Sequence, residues 1–205
     1  MDQNRLLSGA SYDVESGQVR KNQIIEDTNH LVLDVVNTDK DIIGNEQIPK
    51  GNSMQAMTTA TIKKEYQSYD SKKLQKVAGY PESVINKDIT IAYAGTSSWQ
   101  DVKTDVREIA QNDKHANGAF QSALDYANVI EQRYSKKDGY TISTTGHSLG
   151  GAEAIYIAVL KGYNAITYGA AGSGLTDAQI KNYKGVIVNI YDTSDTVTSG
   201  WMTGG

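Results

Sequence analysis

The sequence predicts an α/β fold, a mostly parallel sheet with helices on both faces, preceded by a helical N-terminal lead-in. Three observations predict it. From Asp88 to Asp195 short β-type runs alternate with helical stripes, the pattern of a sheet whose parallel strands are joined by covering helices. Within that region, residues 140–160 (YTISTTGHSLGGAEAIYIAVL) place a β-type run, a glycine-flanked serine and a run of helix formers in succession. A chain of 205 residues also suits one domain with a sizeable core.

The elements follow in order. In the lead-in, residues 1–87, the positions Ile24, Ile25, Thr28, Leu31, Val32 and Val35 fall on one helical face, which predicts an amphipathic helix over about 22–36. Asp39 to Gly51 is polar, contains Pro49 and reads as a loop or hairpin. From Ser53 to Ala78 a broken helical stripe runs through Met54, Met57, Thr61, Tyr66, Tyr69, Leu74 and Val77, and Gly79-Tyr80-Pro81 ends it. The methionines read as core filler. Residues 88–205 form the second unit. Ile89 to Ala94 is a strand, followed by Gly95-Thr96-Ser97-Ser98-Trp99. Val102, Val106, Ile109 and Ala110 mark a helix over 101–111, and Gly118 opens another through Phe120, Ala123, Leu124, Ala127, Ile130 and Tyr134. Ala165 to Tyr168 is a strand, and Thr176 to Tyr183 a short helix with Thr176 as N-cap. Gly185 to Tyr191 is the last strand, followed by Asp192-Thr193-Ser194-Asp195.

In open α/β sheets reactive groups lie beyond the carboxyl ends of the strands. Gly95-Thr96, Ser148 and Asp195 all occupy such positions. Gly146-His147-Ser148-Leu149-Gly150 is a G-x-S-x-G motif between a strand and a helix, the context of a nucleophile elbow. A serine hydroxyl is a weak nucleophile and has to be presented bare on a sharp turn. The helix that follows aims its free N–H groups back at the serine, so the Leu149 N–H can donate to a developing oxyanion. Acyl transfer further needs a base and a group that orients it. In this architecture the order along the chain is serine, acid, histidine. Asp195 or Asp192 suits the acid, but no histidine follows either. His30, His115 and His147 all precede them. His147 is expected to point away from the reaction centre and to pack, and His115 to be a loop histidine before a helix.

Composition removes other classes. A formal net charge of -4 without a basic stripe argues against nucleic-acid binding. The absence of cysteine excludes thiol chemistry and disulfides. Three histidines away from carboxylate clusters do not build a zinc site, and no cofactor is expected. No apolar run has membrane-spanning length, and MDQNRLLSGA lacks the basic and apolar regions of a secretory signal.

Residues 88–199 resemble the class 3 lipase family of α/β-hydrolases. Thr145-Gly146-His147-Ser148-Leu149-Gly150-Gly151-Ala152 matches its G-H-S-L-G-G-A without a gap. Ile91 to Thr96 resembles the strand ending in F-R-G-T/S, Trp99 to Val106 the D-W-x-x-D-L helix start with its order shuffled, and His115 to Phe120 the V-H-x-G-F segment. Tyr168 to Gly172 resembles Y-G-x-P-R-x-G without the proline, and Val188 to Val197 resembles V-N-x-x-D-x-V. The resemblance implies a serine ester hydrolase of the lipase or phospholipase A type. It implies Ser148 as nucleophile, Asp195 rather than Asp192 as triad acid, and Thr96 and Leu149 as oxyanion donors. It implies a lipid or ester substrate at a membrane surface or micelle, and Trp99 near a lid. The family's histidine lies beyond the acid, so the catalytic histidine is expected outside this chain, on a C-terminal segment. Such domains also resemble those at the front of large Gram-positive secreted proteins and toxins exported by a non-Sec route. That implies a secreted or cell-surface location, with an inhibitor or immunity protein as a possible partner. Two rival readings are a lipase-fold binding module that has lost its reaction, and another acyl enzyme such as a thioesterase or acyltransferase.

Overall fold

The computed structural model describes residues 2–38, 54–95 and 114–190, the side chains of 114–117 excepted. Thr96, Asp192, Asp195, the loop expected over 39–51 and the helix expected over 101–111 lie outside the described residues. Six strands form one mixed sheet in sequence order: β1 His30–Asn37, β2 Gln55–Ile62, β3 Ile85–Ala94, β4 Thr141–His147, β5 Asn164–Tyr168 and β6 Ile187–Ile190. The pairs β1–β2 and β2–β3 are antiparallel, and β3–β4, β4–β5 and β5–β6 are parallel. The described helices are α1 Gln3–Ala10, α2 Asp13–Ser16, α3 Ser71–Leu74, α4 Lys114–Arg133, α5 Leu149–Lys161 and α6 Asp177–Asn182.

The helices cover both faces. On one face Ala123, Tyr126, Ala127 and Ile130 of α4 and Ala154, Ile157 and Ala158 of α5 join Leu31, Ala60, Ile89, Ile91 and Tyr93 of the sheet in the main core. On the other, α1 lies over β3, β4 and β5 and α2 over β1 and β2. There Leu7 and Val14 pack on Val32, Met57 and Ala92. The α1–α2 layer stops short of β6, and Val188 and Ile190 are exposed.

The helices expected over 22–36 and 53–78 are corrected by this sheet. β1 is buried on both faces, so it reads as a nearly continuous apolar run instead of an alternation. Its register also shifts between Val32 and Asp34. Across that bulge the first core takes Leu33 and then Val36, and the second takes Val32 and then Val35. A three-residue step on each face imitates a helical stripe. In β2 the alternation is regular but chemically silent. Thr58 is buried on the α4 side and bonded to the Tyr126 hydroxyl at 2.8 Å, and Thr59 is buried on the other side against His30 Nδ1 at 3.2 Å. Only the short α3, capped by the Asp70 carboxylate on the Lys73 N–H, is helical in 67–78. The described lead-in therefore supplies three short helices and two strands, and β3 runs across the expected boundary at 87/88. α4 starts four residues before Gly118, which places the backbone of His115 in a helix and not in a loop.

The remaining elements follow expectation: β3, β4 running into α5, β5, α6 and β6. Thr176 caps α6 by accepting the Gln179 N–H, and Gln179 returns the contact to the Thr176 N–H, a capping box.

Candidate active site

The site is built where β4 turns into α5. Ser148 stands between them with φ 55° and ψ -123°, a conformation that a residue bearing a side chain adopts only where its surroundings hold it there. Three backbone hydrogen bonds hold it. The Ser148 N–H donates to the Tyr168 carbonyl at the end of β5, and the Ser148 carbonyl accepts from Ala152 and Ala171, each at 3.1 Å.

The turn is tight enough to require its glycines. A Cβ at Gly146 would lie 2.3 Å from the Gly150 carbonyl oxygen. A Cβ at Gly150 would lie 2.3 Å from the Tyr93 carbonyl oxygen. Each glycine thus lets one backbone approach another: Gly146 brings β4 against the first turn of α5, and Gly150 brings α5 against the end of β3. Ser148 is half-buried between an exposed His147 and a buried Leu149. The first N–H groups of α5, starting at Leu149, have no carbonyl four residues back inside the helix and give this end its partial positive charge. Phe120 of α4 packs with Leu149 and Ala152, which fixes the helix start from the side.

Both described imidazoles have side-chain partners of their own. His30 starts β1 and pairs with Thr61, at the end of the sheet opposite the elbow. It is buried between Thr59 and Gln3, and burial pushes it below its ordinary value. His147 was expected to pack, but it is exposed. Its Nδ1 lies 3.1 Å from the Tyr12 hydroxyl.

Two groups near the elbow escape the motif reading. Tyr12, from the α1–α2 corner, contacts His147 across 135 positions of sequence, a distance no local pattern reveals. Glu153, one turn into α5, is fully buried with both carboxylate oxygens unpartnered, and burial holds its carboxyl well above the usual range. The sequence did carry a signal for Glu153, the lone acid in an otherwise apolar helix. Among the described residues no cluster of three or more histidine, cysteine or acidic side chains could hold a metal. No described helix is long and apolar enough to cross a membrane.

Residues 35–204 match a phospholipase-like family, the Tle-like phospholipase domain. Among solved structures the chain is similar to lipase II from Rhizopus niveus, with a TM-score of 0.51 and 14% identity over 91% of this chain and 68% of that one. At that identity the likeness shows a shared lipase fold, an α/β-hydrolase fold. No curated protein sequence matches the chain.

Proposed function

Because the chain belongs to the Tle-like phospholipase domain family, we propose that it is a serine hydrolase of lipid esters, of the lipase or phospholipase A type, working through an acyl-enzyme on Ser148. The observation that carries this reading is Ser148 itself, held at φ 55° on a strand-to-helix turn with the N-terminus of α5 behind it. Strain of this kind presents a hydroxyl free of its own backbone and next to amide donors.

In the proposed reaction the Ser148 Oγ adds to the acyl carbonyl carbon while a base takes its proton. The charge that develops on the carbonyl oxygen is held by the Leu149 and Thr96 N–H groups. Collapse of the tetrahedral species breaks the ester C–O bond, and the base returns the proton to the leaving alcohol. Water then attacks the acyl-enzyme by the same route. The base is a histidine other than His30 and His147, oriented by Asp195. The substrate is met at a membrane surface or micelle.

The test is labelling of the full-length protein with a fluorophosphonate probe, beside a Ser148→Ala control, together with release of fatty acid from phospholipid vesicles. Labelling and release that both vanish in Ser148→Ala are the expected result. Fatty-acid release that survives Ser148→Ala would overturn the proposal.

A further inference from the structure

The carboxyl ends of β3 and β4 are joined by a side chain that belongs to neither. The last backbone pair between these strands is Tyr93 with Gly146. Beyond it stand Gly95, one peptide before Thr96, and His147, one peptide before Ser148. The Tyr12 hydroxyl lies between them. It is 3.1 Å from His147 Nδ1 and 3.3 Å from the His147 carbonyl oxygen. On its other side it lies so close to Gly95 that a Cβ there would come within 2.7 Å of it.

We propose that Tyr12 is a positioning residue, a clamp that sets the distance between Gly95, at the end of β3, and the Ser148 elbow. This rests on the acyl-transfer reading above, in which the Thr96 N–H holds the oxyanion. The phenol stands against the Gly95 backbone on one side and hydrogen-bonds to His147 on the other, taking over as the sheet's own hydrogen bonds stop. His147 is thereby an anchor for the clamp, which is why its ring is turned to Tyr12. The clamp is itself held firmly. Tyr12 is the N-cap of α2. The preceding α1 is fastened to the sheet by Leu7, packed with Val32, Met57 and Ala92, and by Tyr168, whose hydroxyl donates to the Asp2 carboxylate. Tyr12 lies outside residues 35–204, the span of the family match, so this part of the site is supplied by the N-terminal helices. An oxyanion donor acts only when it sits at hydrogen-bond distance from the developing charge, and a misplacement of about 1 Å costs on the order of a hundredfold in rate.

The experiment compares full-length wild type, Tyr12→Phe, Tyr12→Ala and Ser148→Ala by rate of fluorophosphonate labelling, by kcat and KM on a soluble ester, and by melting temperature. Tyr12→Phe keeps the ring and loses only the clamp. It is expected to label at least about tenfold slower and to lose kcat at unchanged KM, with melting within about 4 °C of wild type. Tyr12→Ala should be as slow as Tyr12→Phe while melting lower still. Labelling of Tyr12→Phe at the wild-type rate overturns the proposal. So does a loss of rate that merely tracks melting temperature across the two variants. Absence of Ser148 labelling in wild type would instead remove the acyl-transfer reading. In that case the His147 ring nitrogen chemical shifts decide the clamp: shifts unchanged in Tyr12→Phe overturn it, and displaced shifts support it.

Discussion

Replacing Gly150 with alanine tests whether the approach of α5 to β3 is a requirement of the site. The added Cβ would sit 2.3 Å from the Tyr93 carbonyl oxygen and 2.7 Å from the carbonyl carbons of Tyr93 and Ala94. Carbon and oxygen atoms rest against each other at about 3.5 Å, so α5 has to retreat by roughly 1 Å. The obstacle is backbone in a central strand, not the movable end of a side chain, and a close-packed interior does not absorb such a shift freely. Overpacking costs about 1–3 kcal/mol, and this contact belongs at the upper end. For a domain of this size that lowers the melting temperature by roughly 6–12 °C. The same displacement carries the Leu149 N–H away from its position, and phosphonylation of Ser148 should slow by about a hundredfold. Circular dichroism melts and probe labelling of Gly150→Ala read both effects. A variant that melts within about 2 °C of wild type and labels at the same rate would refute the reasoning.

Two further substitutions separate the strain at the elbow from the acid beneath it. Ser148→Gly relieves a backbone conformation that costs a serine roughly 1–3 kcal/mol, so it should raise stability in urea by about 1 kcal/mol while abolishing labelling. A variant no more stable than wild type would show that the turn is unstrained. Glu153→Gln probes the buried carboxyl. Its folded value is raised above the ordinary 4.5 by burial, so the folded state binds the proton more tightly than the unfolded chain. Its contribution is therefore fully present below pH 4.5 and is lost as pH rises toward the folded value. Wild type should lose stability by up to about 1 kcal/mol per pH unit in that window. Glu153→Gln should not, so the gap between their urea midpoints should widen from pH 5 to pH 8. Parallel pH profiles would sink this account.

Much of the parallel half of the sheet was legible in the sequence, because its strands are short runs set off by glycines and followed by helices with ordinary periodicity. Thr176 with Gln179 announces α6, and Gly146-His147-Ser148-Leu149-Gly150 announces the elbow, since steric demands at that turn leave few residues that fit. The antiparallel half was misread for two reasons. β1 is covered on both faces and carries a bulge that turns a two-residue period into three. β2 buries threonines whose hydroxyls are satisfied by Tyr126 and His30, so its pattern holds no contrast between inside and outside. At the site, what local sequence can encode was visible, namely Ser148 and the Leu149 amide. What depends on contacts between distant segments was not, and Tyr12 is the clearest case.

The division of the sheet has a consequence for the order in which the molecule assembles. β1, β2 and β3 are neighbours in sequence and pair antiparallel, so they can associate without a covering helix. β4, β5 and β6 each add in parallel and need a helical crossover before they can dock, which makes their contacts slower to form. The antiparallel half also leaves the ribosome first. That order would have the elbow, strained and held by β3 on one side and β5 on the other, close last. Relief of its strain in Ser148→Gly should then slow unfolding and leave the folding rate unchanged, and stopped-flow folding rates that rise instead would refute that order.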